Sequence, residues 1–316
     1  MKEILYEELP LVSVIMAVYN ETKDELLMAI KSIEDQSYCN IEIIIVYDNP
    51  SNLDLLYYLE NYVKDNSKIK LIKNDFNIGL ANSLNVGINN SRGKFIARMD
   101  ADDISVPRRI SNQIKFMLEN KNIDILSSEC TFINERNEVI GSTSIRDYSS
   151  AQMKKLIVFQ NFFIHPSWLV KRDVYDALDG YREFSSAQDY DFLLRAVSKG
   201  FDIGIIHEKL IMYRIRGNSI SSKSKLKQFL TAEYIKKLHY ERTKTGYDSF
   251  NLLKLDNLLS EVSINDERIF NEAQDKYNDN KFYSLIYLYK TKYFRKYISQ
   301  KICFTICRIL YRRELD

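Results

Sequence analysis

The first half of the chain alternates between two hydrophobic patterns. Short apolar runs rich in β-branched residues read as buried strands: Leu11 to Val18 (LVSVIMAV), Ile41 to Val46 (IEIIIV), Ile69 to Ile72, Phe95 to Met99 and Ile123 to Leu126. Between them the apolar spacing lengthens to the period of a helix, over Glu21 to Gln36, Leu53 to Val63, Ala81 to Asn90 and Pro107 to Asn120. Strands and helices in this alternation predict an α/β fold, a mostly parallel sheet with helices on both faces. Such sheets bind ligands beyond the carboxyl ends of their strands. Asn20, Asp48 and the run Asp100 to Asp103 each follow a predicted strand and so fall at that edge.

The second half is less regular. Phe162 to Lys171 and Phe201 to Arg214 read as strands flanking a helix from Asp189 to Ser198. Beyond Ser222 only helical spacing remains, rich in Leu, Tyr and Lys. The change of pattern places a boundary near Ser221 to Ser224, giving an α/β domain over 1–221 and a helical C-terminal region over 222–316.

Composition narrows the picture. The chain of 316 residues is 45% hydrophobic and 28% charged, ordinary for a globular protein. A net charge of +2 gives no ground for a nucleic-acid partner, but it hides an asymmetry: Lys281 to Arg313 holds nine Lys or Arg and no acid. Cys39, Cys130, Cys303 and Cys307 form no CxxC pair, which is neither a zinc pattern nor a dense disulfide framework. A reduced, cytoplasmic setting is expected. Met1 to Pro10 lacks the apolar stretch of a signal peptide, and no run of about 18 apolar residues predicts a membrane span.

Four segments carry candidate chemistry. In Arg98-Met99-Asp100-Ala101-Asp102-Asp103, three carboxylates crowd a strand end. Ionising all three is costly without a cation, so Mg2+ or Mn2+ bridged to a diphosphate is one reading. An acidic loop capping the helix after Pro107 is the other. Asp48 precedes the turn Asn49-Pro50-Ser51, where it suits either a nucleoside or an Asx-turn. Asn77-Ile78-Gly79 opens a helix, with Gly79 free to take a positive φ. Ser186-Ala187-Gln188-Asp189-Tyr190-Asp191 opens another, where Asp189 suits either a helix-dipole partner or a general base.

Taken together, VSVIMAVYNE, the Asp of VYDNPS, NIGLANSLNVGI, the DADD segment and QDYDFLLR resemble the inverting family-2 glycosyltransferases of GT-A fold. The resemblance covers about residues 10 to 221. It points to bacterial enzymes that build capsular, O-antigen or similar polysaccharides, moving a hexose or N-acetylhexosamine. It implies that Ala17, Tyr19, Asn20, Asp48, Asn77, Gly79, Asp100 and Ala101 line a nucleotide-sugar site. Asp102 would ligate Mn2+ or Mg2+ on the donor diphosphate, and Asp189 would be the catalytic base. His165, Gln188, Asp191 and Arg216 would lie toward the acceptor. The implied partners are a UDP-sugar and a glycan or lipid-linked oligosaccharide, with a homo-oligomer left open. Three positions depart from the family pattern. Tyr47 stands where a second acid often precedes Asp48, Gln188 where a glutamate often precedes the base, and Arg216 where many relatives carry a histidine.

Other functions fit less well. A nucleotidyltransferase would need a glycine-rich phosphate loop, and MAVYNETKDE has no glycine. A dinucleotide-dependent oxidoreductase would show GxGxxG after a strand. A non-catalytic glycan-binding module would not require both Asp102 and Asp189. The tail from Phe282 to Arg313 mixes aromatic and basic residues. It suits the inner face of a cell membrane, or equally a helical subdomain packed on protein.

Overall fold

The computed structural model describes residues 9–216, 224–279 and 287–312. Most of the expected boundary at Ser221 to Ser224 lies outside the described residues, as do 280–286 and Arg313 of the basic tail. The elements run β1 (Val12–Val18), α1 (Lys23–Glu34), β2 (Ile41–Tyr47), α2 (Leu53–Val63), β3 (Ile69–Lys73), α3 (Gly79–Asn89) and β4 (Phe95–Asp100). They continue with β5 (Ile104–Ser105), α4 (Arg109–Glu119), β6 (Ile123–Ile133), β7 (Val139–Ser142), α5 (Ser150–Ile157), β8 (Leu169–Lys171), α6 (Arg172–Leu178), α7 (Gln188–Ser198) and β9 (Asp202–Arg214). The helices α8 (Lys225–Thr245), α9 (Leu252–Ser260), α10 (Ile264–Asp279), α11 (Tyr287–Lys290) and α12 (Lys292–Arg312) follow. Two compact units result: residues up to Ser150 with Phe163–Ser185 and Gly200–Ile215, and Ala151–Phe162 with Ser186–Lys199 and the chain from Arg216 onward.

The first unit is the sheet. Its strands lie in the order β3-β2-β1-β4-β8-β6-β9-β5, with β7 paired to β6. The four N-terminal strands are all parallel, and so is the long β6–β9 pair. The mostly parallel α/β sheet expected from the periodicity is therefore present. β1 sits between β2 and β4, and the register sets Ala17 beside both Val46 and Asp100. The strand ends that carry Asn20, Asp48 and Asp100 are thus neighbours. β1 is apolar because both its faces are covered: Val12, Val14, Met16 and Val18 are buried on one side, and Ser13 and Ile15 on the other.

Two glycines set how closely the layers approach. A Cβ on Gly87 of α3 would stand 2.6 Å from Ile15 Cγ2 on β1, and one on Gly93 would stand 2.5 Å from the Ser13 backbone nitrogen. α1 starts with a capping box in which Thr22 and Glu25 satisfy each other's backbone N–H groups.

Two strand expectations need correction. Phe162 to Lys171 is not one strand. A 3-10 turn occupies His165–Ser167, and only Leu169–Lys171 joins the sheet. Pro166 supplies no N–H, and the Ser167 hydroxyl donates to Ile164 O at 2.7 Å instead of leaving the backbone to a ladder. β6 runs on to Ile133 rather than ending at Leu126. Its extension carries buried Ser127, Ser128 and Glu129, whose polar atoms find partners such as the Ser167 hydroxyl.

The second unit is helical. Leu226 and Leu230 of α8 pack with Phe270 and Ala273 of α10 and Phe294 of α12. Phe229 stacks on Phe270, and Phe294 on Tyr297, with ring centroids 5.4 and 5.9 Å apart. Full burial of Phe270 and Phe294 contributes about 1.5–3 kcal/mol each. α7 meets α8 through His239, whose Nδ1 pairs with the Ser198 hydroxyl at 2.9 Å. The aromatic first half of α12 is therefore core. Farther along, Ile302, Ile306, Ile309 and Leu310 recur at helical spacing and are each about half exposed. Among the described residues, no helix is long and apolar enough to cross a membrane.

Candidate active site

The predicted residues fall into two groups, one per unit. In the first unit, Asp48 directly follows β2 and is 4% exposed. One carboxylate oxygen accepts the Asn74 side-chain amide at 2.7 Å and the Ile78 N–H at 2.9 Å; the other accepts the Gly79 N–H at 2.9 Å. Gly79 takes φ +80°, which aims its N–H at Asp48 and opens α3. The Asn77 side chain accepts the same N–H at 2.9 Å. Next to this cradle, the Asn49 side chain donates to Tyr19 O at 2.8 Å and ties the loops after β1 and β2 together. Ala17 is half-buried, while Tyr19 and Asn20 are exposed.

The acidic segment is less uniform than its sequence. Asp100 pairs with the buried guanidinium of Arg98. Asp103 is 1% exposed and accepts the Arg214 N–H at 2.8 Å. Burial first, and then the charges of Asp100 and Asp102, push its carboxyl well above the usual range. Ala101 is buried between them, and Asp102 is half-buried. The crowding therefore does not by itself demand a cation, because Arg98 answers one carboxylate and the interior takes up another. Glu21, passed over in the sequence, joins the same field. Burial raises its pKa, with Asp102 and Asp100 adding to the rise and the Tyr19 N–H opposing it.

Arg214 was also missed. Its guanidinium donates to Asp102 O at 2.8 Å, Asn134 O at 2.8 Å and the Asn137 side chain at 2.7 Å, so β9 fixes the loop after β4. Arg109 is fully buried beneath, donating to Arg98 O at 2.7 Å, and burial lowers its pKa to about 9. These contacts come from residues far apart in sequence, and nothing in the local pattern announces them.

Among the described residues, no group of three or more His, Cys, Asp or Glu side chains is placed to hold a metal. Half-buried Asp102 fits a different mode. Mg2+ and Mn2+ are commonly held by one or two carboxylates plus substrate phosphates and water. The residues present suit a metal–diphosphate pair, not a protein-only cage.

His165 lies in the first unit. It pairs with the Tyr181 hydroxyl at 2.9 Å and meets the ring of Trp168 edge-on at 4.7 Å. Burial, then the charge of Arg98, hold its pKa well below the usual value. Trp168 is fully buried and belongs to the core.

The second unit carries the other group. Ala187, with φ 59°, ψ 25°, precedes α7 in the left-handed region, at a cost of about 1–2 kcal/mol for a non-glycine residue. Gln188 opens the helix and is buried. Asp189 follows, half-buried, and accepts the Asn161 side-chain amide at 2.8 Å. Asp191 is fully buried and bonded to Arg195 at 2.7 Å, one helical turn on. Tyr190 is buried, and its hydroxyl donates to the carbonyls of Ile157 and Val158. Arg216, half-buried, ends the described stretch. Asp189 lines a cavity of about 510 Å3 formed by residues of this unit.

Comparison with known proteins decides the family. The model of "Glycosyl transferase family 2" matches residues 13–179. The chain belongs to this family. An uncharacterized glycosyltransferase of Methanocaldococcus jannaschii, MJ1057, is 37% identical over 237 residues, 74% of this chain and 81% of that one. The Escherichia coli O-antigen biosynthesis glycosyltransferase WbnJ is 30% identical, over 76% of this chain and 93% of its own. A second E. coli relative is the UDP-Glc:alpha-D-GlcNAc-diphosphoundecaprenol beta-1,3-glucosyltransferase WfaP. It is 31% identical, over 70% and 83%. Staphylococcus aureus TarS (residues 1–349), crystallised with UDP-GlcNAc, shares the fold with a TM-score of 0.59 at 16% identity, over 79% of this chain and 71% of that chain. The chain is thus a glycosyltransferase, with family-2 relatives in bacterial polysaccharide biosynthesis.

Proposed function

We propose that the enzyme transfers a hexose or N-acetylhexosamine from a UDP-sugar to a glycan or lipid-linked acceptor, with inversion, during assembly of a surface polysaccharide. The observation that carries this reading is the adjacency of three strand ends. Ala17, Asp48 and Asp100 lie at or just past the ends of neighbouring parallel strands, at the edge where α/β sheets bind nucleotides. The relatives WbnJ and WfaP act in O-antigen synthesis and on a diphospholipid-linked sugar, as their names state, which supports the acceptor class. Residues 1–221 would form the catalytic domain, with 222–316 a helical region.

In this reading, residues from Ala17 to Asn20, Asp48, Asn77, Gly79, Asp100 and Ala101 bind the nucleotide. Asp102 would hold Mn2+ or Mg2+, and such an ion would supply charge neutralisation for the departing diphosphate. Asp189 takes the proton of an acceptor hydroxyl, held in place by Asn161. The acceptor oxygen then bonds to the anomeric carbon as the carbon–oxygen bond to the diphosphate breaks. The electron pair leaves with UDP, and attack from the opposite face inverts the centre. His165, Gln188, Asp191 and Arg216 serve the acceptor side, Asp191 only indirectly because Arg195 occupies it.

The exposed stripe Ile302, Ile306, Ile309 and Leu310, with exposed Arg308 beside it, supports contact with an anionic membrane surface at its cytoplasmic face. The deciding experiment is a UDP-sugar screen that reads nucleotide release with a membrane fraction as acceptor. Release with one donor, dependent on the fraction, is expected. No release with any nucleotide sugar sinks the reading.

A further inference from the structure

The cavity beside Asp189 has a wall that the transfer chemistry does not use. Lys225, Lys236 and Lys301 line it together with Asp189, and the rings of Phe159 and Tyr297 complete the apolar part. All of these residues belong to the second unit. Two of the lysines are held inward. The Lys236 side chain is only 17% exposed; it donates to Gln300 at 2.6 Å and meets Glu233 at 3.0 Å. Lys301 donates to Gln160 at 2.7 Å and lies 5.4 Å from the centre of the Tyr297 ring.

The charges do not balance. Lys225 is matched by Asp275 at 2.6 Å, but Glu233, the partner of Lys236, is shared with Lys296 at 2.8 Å. Among the described residues, Lys301 has no carboxylate within ion-pair distance. Burial lowers the pKa of both lysines. The positive charge of Lys236 lowers that of Lys301 further, while Glu233 partly restores Lys236. Burying an ammonium is costly unless it is paired, and two ammonium groups that repel each other cost more. The arrangement is what a site for an anion looks like before the anion arrives.

We propose that Lys236 and Lys301 bind a phosphate or diphosphate ester on the acceptor, seating it in this cavity while its sugar hydroxyl faces Asp189. The inference rests on the glycosyltransferase reading for the word acceptor, and on the cavity alone for the anion. Phosphate suits the site better than a sugar hydroxyl network because, Asp189 apart, the polar wall is made of lysines and side-chain amides. Phe159 and Tyr297 leave an apolar surface for the group esterified to the phosphate.

The test is calorimetric titration of the full chain with inorganic pyrophosphate, in chelator. Four proteins are compared: wild type, Lys236→Met with Lys301→Met, Asp102→Ala, and Lys154→Met as a control lysine. Wild type and the control should bind, and the double variant at least ten-fold more weakly. Asp102→Ala should bind like wild type, because its carboxylate belongs to the donor side. A single cooperative thermal unfolding transition of the double variant shows that it folds, so its weaker binding reports the lost charges. Equal binding by wild type and the double variant, or loss of binding confined to Asp102→Ala, overturns the proposal. Farnesyl diphosphate binding tighter than pyrophosphate places the source in a lipid-linked ester; equal binding places it in a water-soluble one. Glucuronate displacing pyrophosphate at equal concentration would assign the site to carboxylates and overturn the phosphate. Failure here with donor-dependent nucleotide release intact sinks only the cavity. Binding without any release sinks only the transferase reading.

Discussion

The carboxylate of Asp48 accepts the backbone N–H of Gly79 at 2.9 Å, so the end of β2 holds the start of α3 in place. Its other oxygen takes the Ile78 N–H and the Asn74 amide. A nucleotide arriving at this edge meets a backbone already organised by a buried charge. Asp48→Ala removes the shared acceptor and leaves those donors to find water. A stability loss of about 3 kcal/mol is expected, read by urea denaturation, together with weaker UDP binding. A variant as stable as wild type would show that the cradle is dispensable.

Asp102 and its neighbour Asp103 should separate cleanly. Asp102→Ala is expected to abolish transfer and weaken metal-dependent UDP binding, and excess chelator should silence the wild type. Asp103→Asn keeps an oxygen for the Arg214 N–H and should retain most activity. The reverse pattern would move the metal role from one to the other.

Asp189→Asn keeps the shape of the side chain and removes its basicity. Turnover should fall at least about 100-fold, the lower end of general-base contributions, with donor affinity little changed. Steady-state kinetics beside UDP-sugar binding would separate the two effects. Near-normal turnover would reduce Asp189 to a helix-terminus residue.

Acid should destabilise the fold through its histidines. His165 and His239 both have pKa values lowered by burial first, then by Arg98 and Arg242 respectively. The unfolded chain therefore binds protons more readily below its ordinary histidine pKa of about 6.5. The stability held by the neutral rings is complete above that pH. It drains as pH falls toward the folded-state values, by up to about 1.4 kcal/mol per unit for each ring. Urea midpoints from pH 7.5 to 5 should show this slope. His239→Asn should flatten it, and an unchanged slope would locate the titration elsewhere.

The tail makes a surface prediction. Ile302→Glu with Ile306→Glu should abolish sedimentation with vesicles containing anionic lipid, and high salt should weaken wild-type binding. Equal partitioning of both proteins would remove the membrane from the account.

Much of this was legible in the sequence, for identifiable reasons. β1 and β2 are near-continuous apolar runs because both faces of a parallel sheet are covered, and Ile41 to Tyr47 has few other ways to fold. β6 was cut short because Ser127, Ser128 and Glu129 look like loop residues until their partners across the sheet are known. The Asp cluster was visible as chemistry, but its internal division was not, since Arg98, Arg109 and Arg214 act on it from three different elements. Asn161 and the paired lysines were invisible for the same reason. A loop residue reaches Asp189 across 28 positions, and Lys301 meets Gln160 across 141.

α12 changes character along its length. Phe294 and Tyr297 complete the core of the helical unit, whereas Ile302 to Leu310 leaves its apolar side open. Where a protein chemist ends the chain therefore matters twice over. A stop before Lys292 strips the cover from Leu226, Leu230 and Phe270 and yields a sticky, insoluble product. A stop just after Lys301 keeps that cover and removes the greasy stripe, though it also takes away the Phe304 ring that meets Phe162.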